Sequence, residues 1–353
     1  GQTKLSYNGS FGASVNANFP KFMDGPQFAY YYNVADMMDQ MERGQISSAG
    51  QYVPHFSEAE IAAMTNGDPS DGWDNVNYID KVFGTGFTQK HSLTIQGGND
   101  AARHFTSIGF TGQNGNIDNF NYKRYNVRSN VEGKFAEHFD YKVGLAGMLG
   151  IRNTPAFLSG GSDSDGGTEV GYFSIARQAV QMHPYLPERF NDHYTGAVQT
   201  NQSYLVSPLA AIYESGSKYT RSADISLNAT VAYRAPFLEG LTLKLSGSFD
   251  YSTSYNKNLS TPYTLSEKYK SGGEWLWRTS SDNPHVTDNS INLGEGTVFS
   301  QQLVGQASIE YQISFDKHNV DALVLGEARE YKGNGLSAYI KNLPFASLPE
   351  LSN

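Results

Sequence analysis

The chain has 353 residues, 35 acidic and 26 basic side chains, a net charge of −9 and no cysteine. An acidic chain of this kind does not neutralise phosphates, so nucleic-acid binding is excluded, as are disulfide scaffolds, thiolate metal sites and Cys nucleophiles. No apolar run reaches the roughly 18 residues of a membrane helix, but a membrane barrel stays open because only alternate residues of its strands meet lipid.

In chain order, alternation of apolar and polar residues predicts long strands over 5–15, 88–97, 103–113, 125–135, 141–151, 223–233, 241–251, 303–315 and 318–332. Residues 125–135 place Tyr125, Val127, Ser129, Val131, Gly133 and Phe135 on one face and Asn126, Arg128, Asn130, Glu132 and Lys134 on the other. Residues 223–233 and 241–251 repeat the pattern, Leu227 against Asn228 and Leu243 against Lys244. Globular strands have about 5–6 residues; these are twice as long. Tyr125 and Phe135 stand far enough apart to reach both aromatic girdles of a lipid band about 25 Å tall. Charged residues in mid-strand on the opposite face suit a wet lumen. The fold class is therefore all-β, an antiparallel transmembrane β-barrel portion with long extracellular loops carrying short helices.

Short turns follow Gly98, Phe135, Tyr233 and Phe315, while long connections fill 16–87, 114–121, 153–219 and 257–296. That alternation is the outer-membrane barrel arrangement, with the long loops outside the cell. Nine strands are an odd number, bacterial single-chain barrels close with even ones, and an open edge in lipid is prohibitive. The expectation is one partial barrel domain over 1–353, with the rest of a larger barrel outside it.

The first long loop carries ten acids and three bases, −7 of the total charge. A helix is predicted from Gln27 to Glu42, and Ser57-Glu58-Ala59-Glu60 is a capping box for a second, ended at Asn66-Gly67-Asp68-Pro69. Both are expected to dock on the barrel rim. The next loop holds Gly160 to Gly167, where Asp163 and Asp165 are weak Ca²⁺ candidates without the spacing of a calcium loop. A helix at about 172–182 precedes His183-Pro184-Tyr185. The last long loop contains Glu274-Trp275-Leu276-Trp277-Arg278, whose two Trp share one face if this is a strand. Trp275 and Trp277, with Tyr185 and Trp73, are the substrate-contact candidates. Such rings stack on sugars, anchor at interfaces or fill loop cores. No catalytic or metal motif and no cofactor signature is present, so no enzyme is expected.

Thr85-Gly86-Phe87-Thr88-Gln89-Lys90-His91-Ser92-Leu93-Thr94-Ile95-Gln96-Gly97-Gly98-Asn99 and Asn121-Tyr122-Lys123-Arg124-Tyr125-Asn126-Val127-Arg128-Ser129-Asn130 resemble segments common to SusC/RagA-type TonB-dependent transporters of Bacteroidetes outer membranes. Weaker likenesses lie at Gly1 to Gly12, Ser207-Pro208-Leu209 and Leu238-Glu239-Gly240-Leu241. The resemblance implies a 22-stranded barrel in the outer membrane, an N-terminal plug that meets TonB, and a SusD-like lipoprotein that captures oligosaccharide or peptide substrate. The matching stretches cover the first part of the barrel and neither the plug nor the second half. A passive porin or adhesin barrel, and a soluble all-β binding protein, are the competing readings.

Overall fold

A computed structural model of the chain describes residues 2–16, 18–67, 69–99, 101–156, 168–198, 205–280, 290–347 and 349–351. In order the elements are β1 (Lys4–Ser14), α1 (Gly25–Glu42), α2 (Glu58–Asn66), α3 (Tyr78–Val82), β2 (Gly86–Gly98), β3 (Ala102–Asn114), β4 (Asn121–Ala136) and β5 (Phe139–Pro155). There follow α4 (Thr168–Gln181), β6 (Arg189–Phe190), β7 (His193–Val198), β8 (Leu205–Val206), α5 (Pro208–Tyr213), β9 (Gly216–Arg234), β10 (Leu241–Ser260), β11 (Leu265–Ser271), β12 (Glu274–Ser280), β13 (Asn292–Phe315) and β14 (His318–Ile340). Among the described residues, nine strands form one antiparallel sheet in the order β1-β2-β3-β4-β5-β9-β10-β13-β14. These are the nine strands expected from alternation.

Register settles the two faces. Paired residues of antiparallel neighbours point to the same side. Leu145 pairs with Leu227, Leu227 with Phe249, and Phe249 with Leu303, so the apolar sets of four strands share one face. The other face is lined by Asn130, Ser226, Asn228, Ser246, Asp250 and Gln302. The apolar side chains stand open, with Leu245 67% and Leu227 43% exposed. A soluble sheet would cover such a face; a lipid-facing one has hydrocarbon for its partner.

One perpendicular row runs Tyr7, Leu93, Ile108, Val127, Gly147, Ile225, Tyr251, Gln301, Lys332. Strands spaced by about 4.8 Å and tilted by about 45° carry such a row up by about 27 Å over its eight steps. It therefore enters lipid near the short turns and leaves it at the β13–β14 end, where Gln301 and Lys332 are polar. Aromatic rings mark the lower boundary: Phe135 and Phe139 lie 5.0 Å apart and Phe139 and Tyr233 4.7 Å.

The strands run further than alternation shows. β10 reaches Ser260 and β13 starts at Asn292, inside the connection expected over 257–296. Above the bilayer both sides are wet, so the ladder continues without an apolar face to reveal it. The helix predicted from Gln27 begins at Gly25, because Asp24 caps it and Pro26 occupies the first turn, where no amide is needed. The Ser57 box forms as expected and α2 ends at Gly67 with φ 62°.

The compact core lies in the long loops instead of the barrel wall. Phe56, Met64 and Trp73 from the β1–β2 loop pack with Ile117, with Ile175, Tyr185 and Leu186 of the β5–β9 loop, and with Ile212 of α5. Backbone bonds join the first and third loops, Asp74 N–H to Tyr185 O at 3.0 Å and Val76 N–H to Pro184 O at 2.8 Å. The Tyr78 hydroxyl reaches Leu186 O, Pro187 O and Thr195 Oγ1 at 3.1–3.2 Å. The helices thus dock on one another and on other loops as a cap.

Candidate functional site

β11 and β12 form a hairpin in the last long loop, and its turn explains its shape. Gly272 and Gly273 have φ of 60° and 91°, the left-handed backbone that a two-residue hairpin loop needs. Register then sets Lys268 opposite Trp277 and Lys270 opposite Trp275 on one face. Tyr269, Leu276, Glu267 and Arg278 fall on the other. There Glu267, buried, takes two bonds from the Arg278 guanidinium at 2.6 and 2.8 Å. The base of the hairpin is rooted: Leu265 is fully buried, Ser266 Oγ donates to Phe190 O at 2.6 Å, and Leu265 to Glu267 run parallel to β7.

All four substrate-contact candidates come together under this hairpin. Trp275 stacks on Phe56 with centroids 5.2 Å apart and planes at 17°. Trp73 stands edge-on to Trp275 at 5.3 Å and lies 5.7 Å from Tyr185. Trp277 stacks on Phe190 at 4.0 Å. Trp73 and Tyr185 are buried, while Trp275 and Trp277 are part-exposed. The Trp275 Nε1–H is buried without a hydrogen-bond acceptor among the described residues. Gly72, at φ 72°, passes directly under the Trp277 indole; a Cβ there would lie 2.6 Å from Nε1.

Two lysines complete the cluster. Lys268 Nζ lies 3.1 Å from the Trp73 centroid and 5.4 Å from that of Trp277, and donates to Gly72 O at 2.5 Å. Burial pushes its pKa down to about 7, with Glu60 and Asp71 opposing; the ring faces and the carbonyl also favour the ammonium. Lys270 Nζ donates to His55 O and sits 5.4 Å from the Trp275 centroid. His55 is held below its ordinary pKa by burial and by Lys270. His183 is pushed down to about 4 by burial, and its Nδ1 meets the Tyr185 hydroxyl at 2.9 Å.

Lys268, Lys270, Phe56 and His55 were not among the sequence candidates. A signal existed: Lys-x-Lys and Trp-x-Trp flank Gly-Gly, so a hairpin pairs them directly. Asp163 and Asp165 lie outside the described residues, and among the described residues no cluster of metal-ligating side chains occurs.

Below the cap the lumen wall carries opposed charges. Arg124, Arg128 and Arg152 stand on β4 and β5, while Asp224 and Asp250 stand on β9 and β10. Ser252 and Ser226 donate to the two aspartates at 2.6 and 2.5 Å. A trough of about 470 Å³ runs between Arg128 and Asp250 over the small Ala146 and Ser226.

No protein-family model matches the chain. Relatives do. The TonB-dependent receptor SusC of Bacteroides thetaiotaomicron is 24% identical over 289 residues, 76% of this chain and 25% of SusC. The TonB-dependent receptor P3 of Formosa agariphila is 28% identical over 176 residues, 50% of this chain and 16% of P3. The chain is similar in sequence to TonB-dependent receptors of the SusC type, which places it in the outer membrane. Solved structures agree on the fold: the RagAB peptide importer, in its closed-closed and open-open states, superposes with TM-score 0.67 at 20% identity over 99% of this chain and 37% of that one. The chain spans a quarter or less of the length of these two curated relatives. They are receptors by name, not enzymes.

Proposed function

We propose that this SusC/RagA-type sequence forms part of the barrel wall and outer cap of an active nutrient importer. Its substrate is an oligosaccharide, delivered by a SusD-like surface lipoprotein, with TonB supplying the work through a plug. The outer edges of β1 and β14 then pair with further strands, since unpaired backbone in lipid costs several kcal/mol per group. The observation that carries the substrate reading is the aromatic cluster at the mouth of a polar lumen. Trp275 and Trp277 are part-exposed while each rests one face on a phenylalanine, Phe56 and Phe190, and rings of this kind stack on sugars. The likeness of fold to the RagAB peptide importer supports peptide as the second reading.

Deleting the parent gene should abolish growth on one polymer and leave monosaccharide growth intact. Restoring it with Trp275→Ala and Trp277→Ala together should return the protein to the outer membrane with uptake reduced at least tenfold. Normal growth of the deletion strain on every glycan and peptide tested removes the import reading. Loss confined to peptide removes the glycan one.

A further inference from the structure

The β11–β12 hairpin is held at three levels of unequal strength. Its base is rooted in β7 and in buried Leu265. Its tip, Ser271 to Glu274, is exposed and meets nothing around its glycines. Between them the tie to the β1–β2 loop includes two lysines, each donating to a backbone carbonyl about 200 residues away in sequence, Gly72 O and His55 O. Each also lies against tryptophan: Lys268 over Trp73 and Trp277, Lys270 by Trp275.

The seat is not fully satisfied. The Trp275 indole N–H is buried there with no acceptor among the described residues, and desolvation of the buried Lys268 ammonium opposes closure. A base fixed in a sheet, a free glycine tip and a seat with an unmet donor describe a strap that can lift. We propose that the β11–β12 hairpin is a lysine-latched strap over the Trp73–Phe56 surface, and that its lifting about Leu265–Glu267 opens the aromatic faces to ligand. This regulation of access rests on the glycan-contact reading given above.

The latch is tested by hydrogen exchange with mass spectrometry on the full-length receptor in detergent. In Lys268→Met with Lys270→Met, stem length is kept and charge and donors are removed. Amides of residues 268–280 should then exchange at least tenfold faster, while β4 and β5 keep wild-type protection. Lys268→Arg with Lys270→Arg, which retains charge and donors, should stay within threefold of wild type. Unchanged exchange in the double Met variant overturns the strap. If that variant loses barrel protection, Lys270→Gln alone decides: a threefold or greater rise confined to the hairpin supports the latch, and no rise removes it. Exchange needs no substrate, so a receptor that imports no glycan would remove the substrate reading and leave this result standing.

Discussion

The assignment of faces can be tested with two adjacent residues. Leu227 lies in mid-strand on the apolar face, paired with Leu145 and Phe249, about seven residues above the short turn end of β9. At about 2.4 Å of height per residue for a strand tilted 45°, that is about 16 Å up, near the bilayer middle. Arginine on the lipid face at that depth costs about 2–4 kcal/mol. Ser226, the next residue, faces the lumen and donates to Asp250 at 2.5 Å. Arginine there loses one hydrogen bond, about 1 kcal/mol, but gains a carboxylate neighbour and water. Leu227→Arg should therefore lower the folding free energy by at least about 1 kcal/mol more than Ser226→Arg, a factor of about five or more. The assay is urea unfolding of the full-length receptor in bilayers, followed by band shift on unheated gels. A larger loss for Ser226→Arg would refute the facing of the whole sheet, because register ties every strand to this one.

Further outcomes concern the cap. Phe56→Ala removes a fully buried ring that touches Trp275 and Tyr185; it should cost about 3–5 kcal/mol, read as lost exchange protection in α2 and the hairpin with the barrel strands unchanged. Arg278→Ala leaves Glu267 buried and unpaired, at the low end of about 3–5 kcal/mol because Arg278 is itself half-exposed. Pairing it with Glu267→Gln should restore much of the loss in thermal unfolding. Gly72→Ala meets both a left-handed backbone and the Trp277 indole, so it should cost about 2 kcal/mol and raise acrylamide quenching of Trp277 in a Trp277-only background. His183, neutral when folded, takes up a proton on unfolding between its ordinary 6.5 and about 4. Cap stability should thus fall as pH drops through that window and level off below it, by a few kcal/mol at most. His183→Asn should flatten the profile, measured by exchange in α4 at pH 6.5 and 4.5.

The barrel strands were legible because lipid enforces alternation: Tyr125 to Phe135 and Leu241 to Tyr251 must sort their side chains between hydrocarbon and water. The same physics hid the upper parts of β10 and β13. Asn256 to Ser260 pairs with Asn292 to Gly296 above the bilayer, where no face needs to be apolar. Capping chemistry is local, so Ser57 and Glu60 could be read at three residues' distance. The site could be read only by residue type. Trp73, Tyr185, Trp275 and Trp277 do meet, yet nothing in a linear pattern tells that Phe56 lies under Trp275, or that a lysine instead of solvent covers Trp73. Those contacts span about 200 residues and are set by which loops end beside each other on the sheet.

A cap whose core is drawn from separate loops also constrains how the protein reaches its final state. Each loop carries charges, so its passage through the hydrocarbon layer is costly. Phe56, Ile117, Tyr185 and Trp275 belong to four different crossings. The cap core can form only once all four segments are across, and after it has formed no single hairpin can slide back without breaking it. The cap then acts as a one-way ratchet for insertion, and its weakening should show first as slow assembly at the membrane.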